Sequence, residues 1–223
     1  MPSSTRRPER RQGSLSRERI VSAAVELLDT VGEGGLTFRA LAERLATGPG
    51  AIYWHLTGKA ELLAAATESV VLAALPAEDA DPAPSEAVRA LALGVFDALD
   101  AHPWAGAQLA RASWKPPLLR VFEHLGRQVE ALGVPEHARF TAASALLNYI
   151  LGVAGQNAVN ARAVEPGTDR SAFLGAVAAE WAELDPGRYA FVRGIADRLP
   201  GHDDRAEFLA GIDLILAGIT AGR

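Results

Sequence analysis

The chain has no cysteine among its 223 residues. That excludes structural disulfides and thiolate metal sites, and fits a reducing, cytoplasmic setting. Aromatic residues are scarce at 6%, although hydrophobic residues reach 49%. A core made mostly of Ala, Leu and Val favours helices over sheets. No strand-like alternation and no internal repeat stands out. No apolar run follows the arginines of MPSSTRRPERRQGS, so this start does not read as a secretory signal. Residues 141–161 carry no charge over 21 positions, a length that could span a bilayer. Asn148, Gln156, Asn157 and Asn160 lie inside that stretch, and amides are costly in lipid. It is expected to be a helix buried in protein on most sides, with no membrane partner. Enzyme signatures are missing as well. There is no nucleophile elbow, P-loop or HExxH, and His102, His124 and His137 are scattered. Neither catalysis nor a cofactor nor a bound metal is expected.

What is present is an uneven charge distribution. The net charge is −5, yet residues 1–60 hold nine Lys and Arg against six Asp and Glu, a net of +3. The remainder holds 22 − 9 = 13 against 27 − 6 = 21, a net of −8. A basic N-terminal part on an acidic body suits a DNA reader carrying a separate domain of other purpose. Arg6, Arg7, Arg10 and Arg11 form a basic arm over residues 1–14, expected to be disordered. Such an arm is a solvated tail that can still touch phosphates.

The segment GLTFRALAERLATGPGAIYWHLTGKAELL, residues 35–63, reads as two short helices, a tight turn and the start of another helix. That is a helix-turn-helix, expected over residues 15–60. Its first helix starts with Ser16 as N-cap and carries the stripe Ile20, Ala23, Ala24, Leu27, Leu28 and Val31. Thr37 caps the second. The sequence Thr47-Gly48-Pro49-Gly50 is the expected turn, and the third helix spans Ala51 to Leu56. Leu41, Leu45, Ile52 and Leu56 are expected to face inward, and Trp54 to pack against a neighbouring helix. Arg39, Tyr53, His55 and Lys59 are left to face DNA. Arg forks onto guanine, Tyr and His bond phosphate oxygens, and Lys neutralises phosphate charge. Thr47 in the turn belongs to the same face. Gly50 and Ala51 are small enough for the helix start to approach base edges.

Residues 61–223 are expected to form an all-helical body. The Pro-rich acidic stretch PAEDADPAPS, residues 76–85, reads as a loop. Helices are expected from Ser85 to Asp100, after His102-Pro103, from Pro116 to Gly133 and from Pro135 to Val164. Others are expected from Asp169 to Leu184, from Pro186 to Leu199 and from Asp204 to Thr220. Asn148, Gly152, Gln156 and Asn160 recur every fourth residue and form one polar stripe. Buried amides need partners, which a ligand, water or a second subunit would supply. His102, Trp104, Gln108, Arg111, Trp114 and Trp181 complete a candidate ligand-binding set with Asn148, Gln156 and Asn160.

Residues 15–63 resemble the TetR family of bacterial transcriptional regulators. LSRERIVSAAVELLDTVGEGGLTFRALAERL is similar to its first two helices, and IYWHLTGKAELL to its recognition helix and the entry to its fourth helix. The YWH form is most similar to the tetracycline-repressor branch. The resemblance implies a ligand-responsive regulator, a repressor released from a palindromic double-stranded DNA operator by a small-molecule inducer. It assigns DNA contacts to Arg39, Gly50, Ala51, Tyr53, His55 and Lys59. It also implies a C-terminal ligand-binding and dimerisation domain, and hence a homodimer. Ala142, Ala143, Ala145, Gly152, Ala154 and Gly155 would allow close helix approach there, as would Ala210-Gly211 and Ala217-Gly218, against the plainer reading of packing within one chain. An activator or sensor of the same fold is the alternative. HPWAGAQL is similar to the stretch that carries a metal-binding His in that branch. The partner carboxylate is replaced by Gln156, a poor ligand for a hard cation, so no magnesium–tetracycline recognition is expected.

Overall fold

The computed structural model describes residues 15–76, 82–111, 116–163 and 168–221, without the side chains of 110, 111 and 161–163. The basic arm lies outside the described residues. Among the described residues the fold is all helix, with no strand. The chain divides into two compact units, up to Ser69 and from Val70 onward. No helix of the described residues is long and apolar enough to cross a membrane.

The first unit holds α1 (Arg17–Gly35), α2 (Phe38–Arg44), α3 (Pro49–Tyr53) and most of α4 (Lys59–Ala74). Ser16 caps α1 by accepting the Arg19 N–H at 3.3 Å, and Thr37 caps α2 by accepting the Ala40 N–H at 3.1 Å. Gly32, at φ 67°, breaks the regular helix of α1 where the glycine run begins. Ile20, Ala24 and Leu28 meet Leu36, Leu41, Ile52, Leu56 and Leu62 in a closed core. Leu45, expected to point inward with them, is only half-buried.

The turn between α2 and α3 lies earlier than the sequence suggested. Thr47 N–H reaches the Ala42 carbonyl at 3.0 Å and Ala46 N–H the Glu43 carbonyl at 3.2 Å. With Ala46 at φ 49°, this is a Schellman close with alanine where glycine is usual. Pro49 then opens α3 instead of belonging to the turn. Its missing N–H costs nothing at the first helical position and its fixed φ suits the helix.

In the second unit, α8 (Glu136–Ala163) is the central helix. It packs against α5 (Pro84–Ala101), α6 (Pro103–Arg111), α7 (Pro116–Ala131) and α11 (Asp204–Ala221). The core comes from Val88, Leu91, Val95 and Leu99 of α5, Val121, Leu125 and Val129 of α7, Leu146 and Ile150 of α8, and Phe208 and Ile212 of α11. Phe208 sits between Phe96 and Tyr149, with ring centroids 4.8 and 5.6 Å away. Arg205 forks onto Asp97 at 3.0 and 3.1 Å, and Arg89 meets Asp213 at 2.6 Å, tying α11 to α5.

Residues 170–201 form a smaller layer. α9 (Arg170–Ala182) packs on a 3-10 turn (Ala196–Gly201) that comes directly after α10 (Ala190–Ile195). The helix expected from Pro186 starts only at Ala190. Asp185-Pro186-Gly187 makes a turn instead, with the Asp185 carboxylate accepting the Arg188 N–H at 2.9 Å. The cap of α11 is Asp203. Its carboxylate takes the N–H groups of Arg205 and Ala206 at 2.9 and 3.0 Å.

Candidate nucleic-acid interface and the hollows of the helical body

The short α3 is placed by Ile52 and Leu56, both buried. Tyr53, one position on from Ile52, faces outward and stacks flat on Phe38 of α2, centroids 4.4 Å apart and planes 8° apart. Arg39 is the next residue after Phe38 and projects from the same helix. Its side chain is 88% exposed and meets only Glu43, one turn on, among the contacts resolved for it. Gly48, Pro49 and Gly50 are exposed at the start of α3, while Thr47, Ala51 and His55 are half-buried. Lys59 donates from Nζ to the Glu33 carbonyl at 2.6 Å, which fixes its stem beside the end of α1.

Trp54 is 90% exposed, so the expectation that it packs against another helix is wrong. The reason is angular. Ile52 and Leu56 take the inward direction, and a residue two places from Ile52 points about 200° away from it. Sequence reasoning that counts a large aromatic as core misses this residue. The signal that finds it is the parity of the inward pair flanking it.

A carboxylate clasp holds the junction of α3 and α4. Glu61 accepts the backbone N–H and the hydroxyl of Thr57, each at 2.8 Å, and the guanidinium of Arg17 at 2.8 Å. Arg17 also donates to the His55 carbonyl at 3.2 Å. The Thr57 N–H, then Arg17 and the Thr57 hydroxyl, lower the Glu61 carboxyl from 4.5 to about 2. A depressed carboxylate stabilises the fold fully above its unfolded value and loses that contribution as pH falls toward the folded one. The Glu61→Gln variant is therefore expected to melt below the wild type at pH 7. The gap should close between pH 4.5 and about 2. Thermal melts of both proteins across that range measure it; a gap independent of pH would contradict the clasp.

The candidate ligand residues of the second unit fall in several places. On α6 and its cap, Trp104 is buried, His102 and Gln108 are half-buried, and the His102 and Trp104 rings are 6.1 Å apart. Gln156 and Asn160 line an open hollow of about 340 Å³ with Tyr149, Val153, Asn157 and Glu207. Trp181 lines an adjoining hollow of about 560 Å³ with Ile195, Arg198 and Leu199, and the two share His202 and Glu207 as a common wall. Asn148 is exposed on α8 and lines neither hollow. The side chain of Arg111 and the whole of Trp114 lie outside the described residues. Asn157, Tyr149, His202 and Glu207 are outside the ligand-binding set expected from sequence. Asn157 donates to Asp100 at 3.2 Å, and the Tyr149 hydroxyl donates to the Phe208 carbonyl at 3.2 Å. Among the described residues, no group of His, Asp and Glu could hold a metal ion.

The stripe Asn148, Gly152, Gln156 and Asn160, expected to be buried, is exposed on this chain. The helix is apolar enough to be enclosed, but its inward surface is supplied by Ala142, Ala143, Leu146, Leu147, Ile150, Ala154 and Ala158. Those alanines serve packing within the chain, whereas Ala145 and Gly152 lie outside. On α11, Ala210, Ala217 and Gly218 are likewise exposed, around a 76% exposed Leu214.

Comparison with known proteins places this geometry. The profile described as "Bacterial regulatory proteins, tetR family" matches residues 20–66. An HTH-type transcriptional regulator of Saccharopolyspora erythraea is 31% identical over 221 residues, covering 96% of this chain and 90% of that one. The class C tetracycline repressor protein of Escherichia coli is 47% identical over 57 residues, 26% of each chain. Among solved structures, the transcriptional regulator SCO7222, a TetR from Streptomyces coelicolor, is 62% identical with a TM-score of 0.85. That match covers 93% of this chain and 99% of the other.

Proposed function

The chain belongs to the TetR family of bacterial transcriptional regulators, and from that premise we propose that it is a homodimeric repressor, released from a palindromic operator by a small molecule. The observation that carries the DNA-facing part is the exposed surface of Arg39, Tyr53 and Trp54, held by a closed core and a clasped helix start. Glycine, proline and alanine at the start of α3 bring backbone, rather than long side chains, to the groove. Base reading therefore falls on Arg39, Tyr53 and Trp54, with Thr47, His55 and Lys59 flanking them.

The dimer reading is supported by the outward strips of α8 and α11. The two helices pack together, and each presents small residues beside an exposed aliphatic, Val159 or Leu214. A second copy would cover both strips and set two reading helices about 34–36 Å apart. Inducer binding would act by favouring the dimer form that fits DNA worse. The candidate inducer contacts remain His102, Trp104, Gln108, Arg111, Trp114, Asn148, Gln156, Asn160 and Trp181. Gln156 in place of a carboxylate argues against a magnesium chelate as the inducer. A catalytic role has no supporting constellation among the described residues.

Trp54 gives a direct test. Trp54→Ala removes a side chain with almost no internal contacts, so stability should change by less than about 0.5 kcal/mol. Affinity for DNA flanking the gene should fall about tenfold or more, since each good groove contact is worth about 1–3 kcal/mol. Fluorescence anisotropy with labelled duplex measures it. Unchanged affinity would remove Trp54 from the interface.

A further inference from the structure

We propose that the two adjoining hollows form one cleft for an organic ammonium, a ring-bearing amine whose charged nitrogen is held by Glu207 on the wall the hollows share. This names a ligand class for the small-molecule reading above and rests on that reading. Every residue of the cleft belongs to the second unit.

The two hollows differ in character. Their volumes, about 340 and 560 Å³, fall in the range of about 300–1,000 Å³ usual for small-molecule sites. The larger has an apolar side of Trp181, Ile195 and Leu199, suited to a ring body. The smaller carries the amides of Gln156, Asn157 and Asn160. Asn157 is committed to Asp100, which leaves Gln156 and Asn160 for the polar end of a ligand.

Three carboxylates line the cleft, and two are already answered. Asp203 accepts the N–H groups of Arg205 and Ala206 as the cap of α11. Asp204 meets Arg170 and the His202 ring. The Glu207 carboxylate makes no ion pair or hydrogen bond among the described residues, and Arg198 lines the larger hollow without reaching it. The neighbouring α8 is uncharged from residue 141 to 161 and brings no cation. Glu207 stands in the first turn of α11, where a negative charge is favoured, but a helix dipole gives it no directed partner.

An aromatic ring lines the cleft on each side of that charge. Tyr149 is a preformed wall. Its ring stacks on Phe208, its hydroxyl donates to the Phe208 carbonyl, and it lies where a Cβ on Gly211 would collide with it. Burial, and then the Glu207 charge, push the Tyr149 phenol above its usual value, so the carboxylate is felt at this wall. Trp181 lines the other hollow. An ammonium beside a carboxylate and ring faces gains from both, whereas an anion at the same place meets repulsion.

Matched naphthalene probes on the full-length protein test this. They are 2-naphthylmethylamine, protonated at neutral pH, the neutral 2-naphthylmethanol and the anion 2-naphthoate, each titrated by calorimetry. The wild type is expected to bind the ammonium about tenfold or more tightly than the alcohol, as a hydrogen bond to a charged group allows, and naphthoate most weakly. Glu207→Gln keeps the size and removes the charge. The ammonium's advantage should then fall below about threefold while the alcohol binds as before. Trp181→Leu should weaken ammonium and alcohol alike, and Glu207→Lys should reverse the order in favour of naphthoate. Circular dichroism melts check that each variant is folded. A wild type that binds none of the probes, or that favours naphthoate, overturns the proposal. An ammonium preference that survives Glu207→Gln overturns it as well. Ammonium binding that leaves operator affinity unchanged would support the cleft and count against the inducer reading. Tight operator binding by a protein that takes no ammonium would overturn the cleft and leave the regulator.

Discussion

The double variant Arg39→Ala, Tyr53→Ala is expected to stay folded and to bind operator DNA at least a hundredfold more weakly than the wild type. The fold survives because neither side chain supports the core. Arg39 is paired with Glu43 one turn away, and such exposed pairs are worth only about 0.3–0.5 kcal/mol. Tyr53 loses one stacking contact with Phe38, at the surface. DNA binding fails for the opposite reason. Each side chain is presented outward, beside a helix start too bare to read bases by itself, and a good contact is worth about 1–3 kcal/mol. Two contacts in each of two subunits exceed the 2.7 kcal/mol or so that a hundredfold loss requires. Removing the Arg39 charge from the groove should also lower the salt dependence of binding. Anisotropy titrations at several salt concentrations give both quantities. An affinity within threefold of wild type would show that DNA is read elsewhere.

Phe208→Ala is expected to cost the second unit about 3–5 kcal/mol, the range for a phenylalanine removed from a closed core. Phe208 is 1% exposed and lies between Phe96 and Tyr149. The two ring pairs add to the area term, since aromatic pairs contribute about 0.5–1.5 kcal/mol beyond burial. The cavity opens where α5, α8 and α11 meet. Tyr149 would lose its stacking partner there, while its hydroxyl keeps the backbone carbonyl of residue 208. A domain with about 5–15 kcal/mol in total cannot lose this much without a visible shift in its denaturant midpoint. Phe208→Leu, which keeps most of the volume, should cost clearly less. Urea unfolding monitored by circular dichroism measures both variants. A loss below about 1.5 kcal/mol for Phe208→Ala would mean that the core collapses to fill the space.

The helices are legible in sequence wherever periodicity and a cap agree. Ser16, Thr37 and the stripe from Ile20 to Leu28 define α1 and α2, and the uncharged run from Thr141 marks α8 within a few residues of its ends. Boundaries slip where local chemistry has two uses. Pro49 serves equally in a turn or at the first helical position, and Asp203 and Asp204 are both plausible caps. The outward direction of Tyr53 is legible because it derives from the inward direction of Ile52 and Leu56, yet residue type alone misjudges Trp54. The face of α8 is harder. Its amide stripe looks like an interior feature because the surrounding run is apolar, and only the packing of α5, α6, α7 and α11 shows which face of the helix is inward. The placement of Gln156, Asn160 and Trp181 in two adjoining hollows depends on how α9, the 3-10 turn and α11 fold together, and spacing alone carries no trace of that.

The most direct test of the proposed function is titration of the purified wild-type protein with DNA flanking its own gene, at rising salt and against competitor DNA. Tight, competitor-resistant binding to a short palindrome, with two subunits per site, is the predicted result. Weak binding that disappears with salt and shows no preference among duplexes, even from protein freed of bound small molecules by refolding, would contradict it.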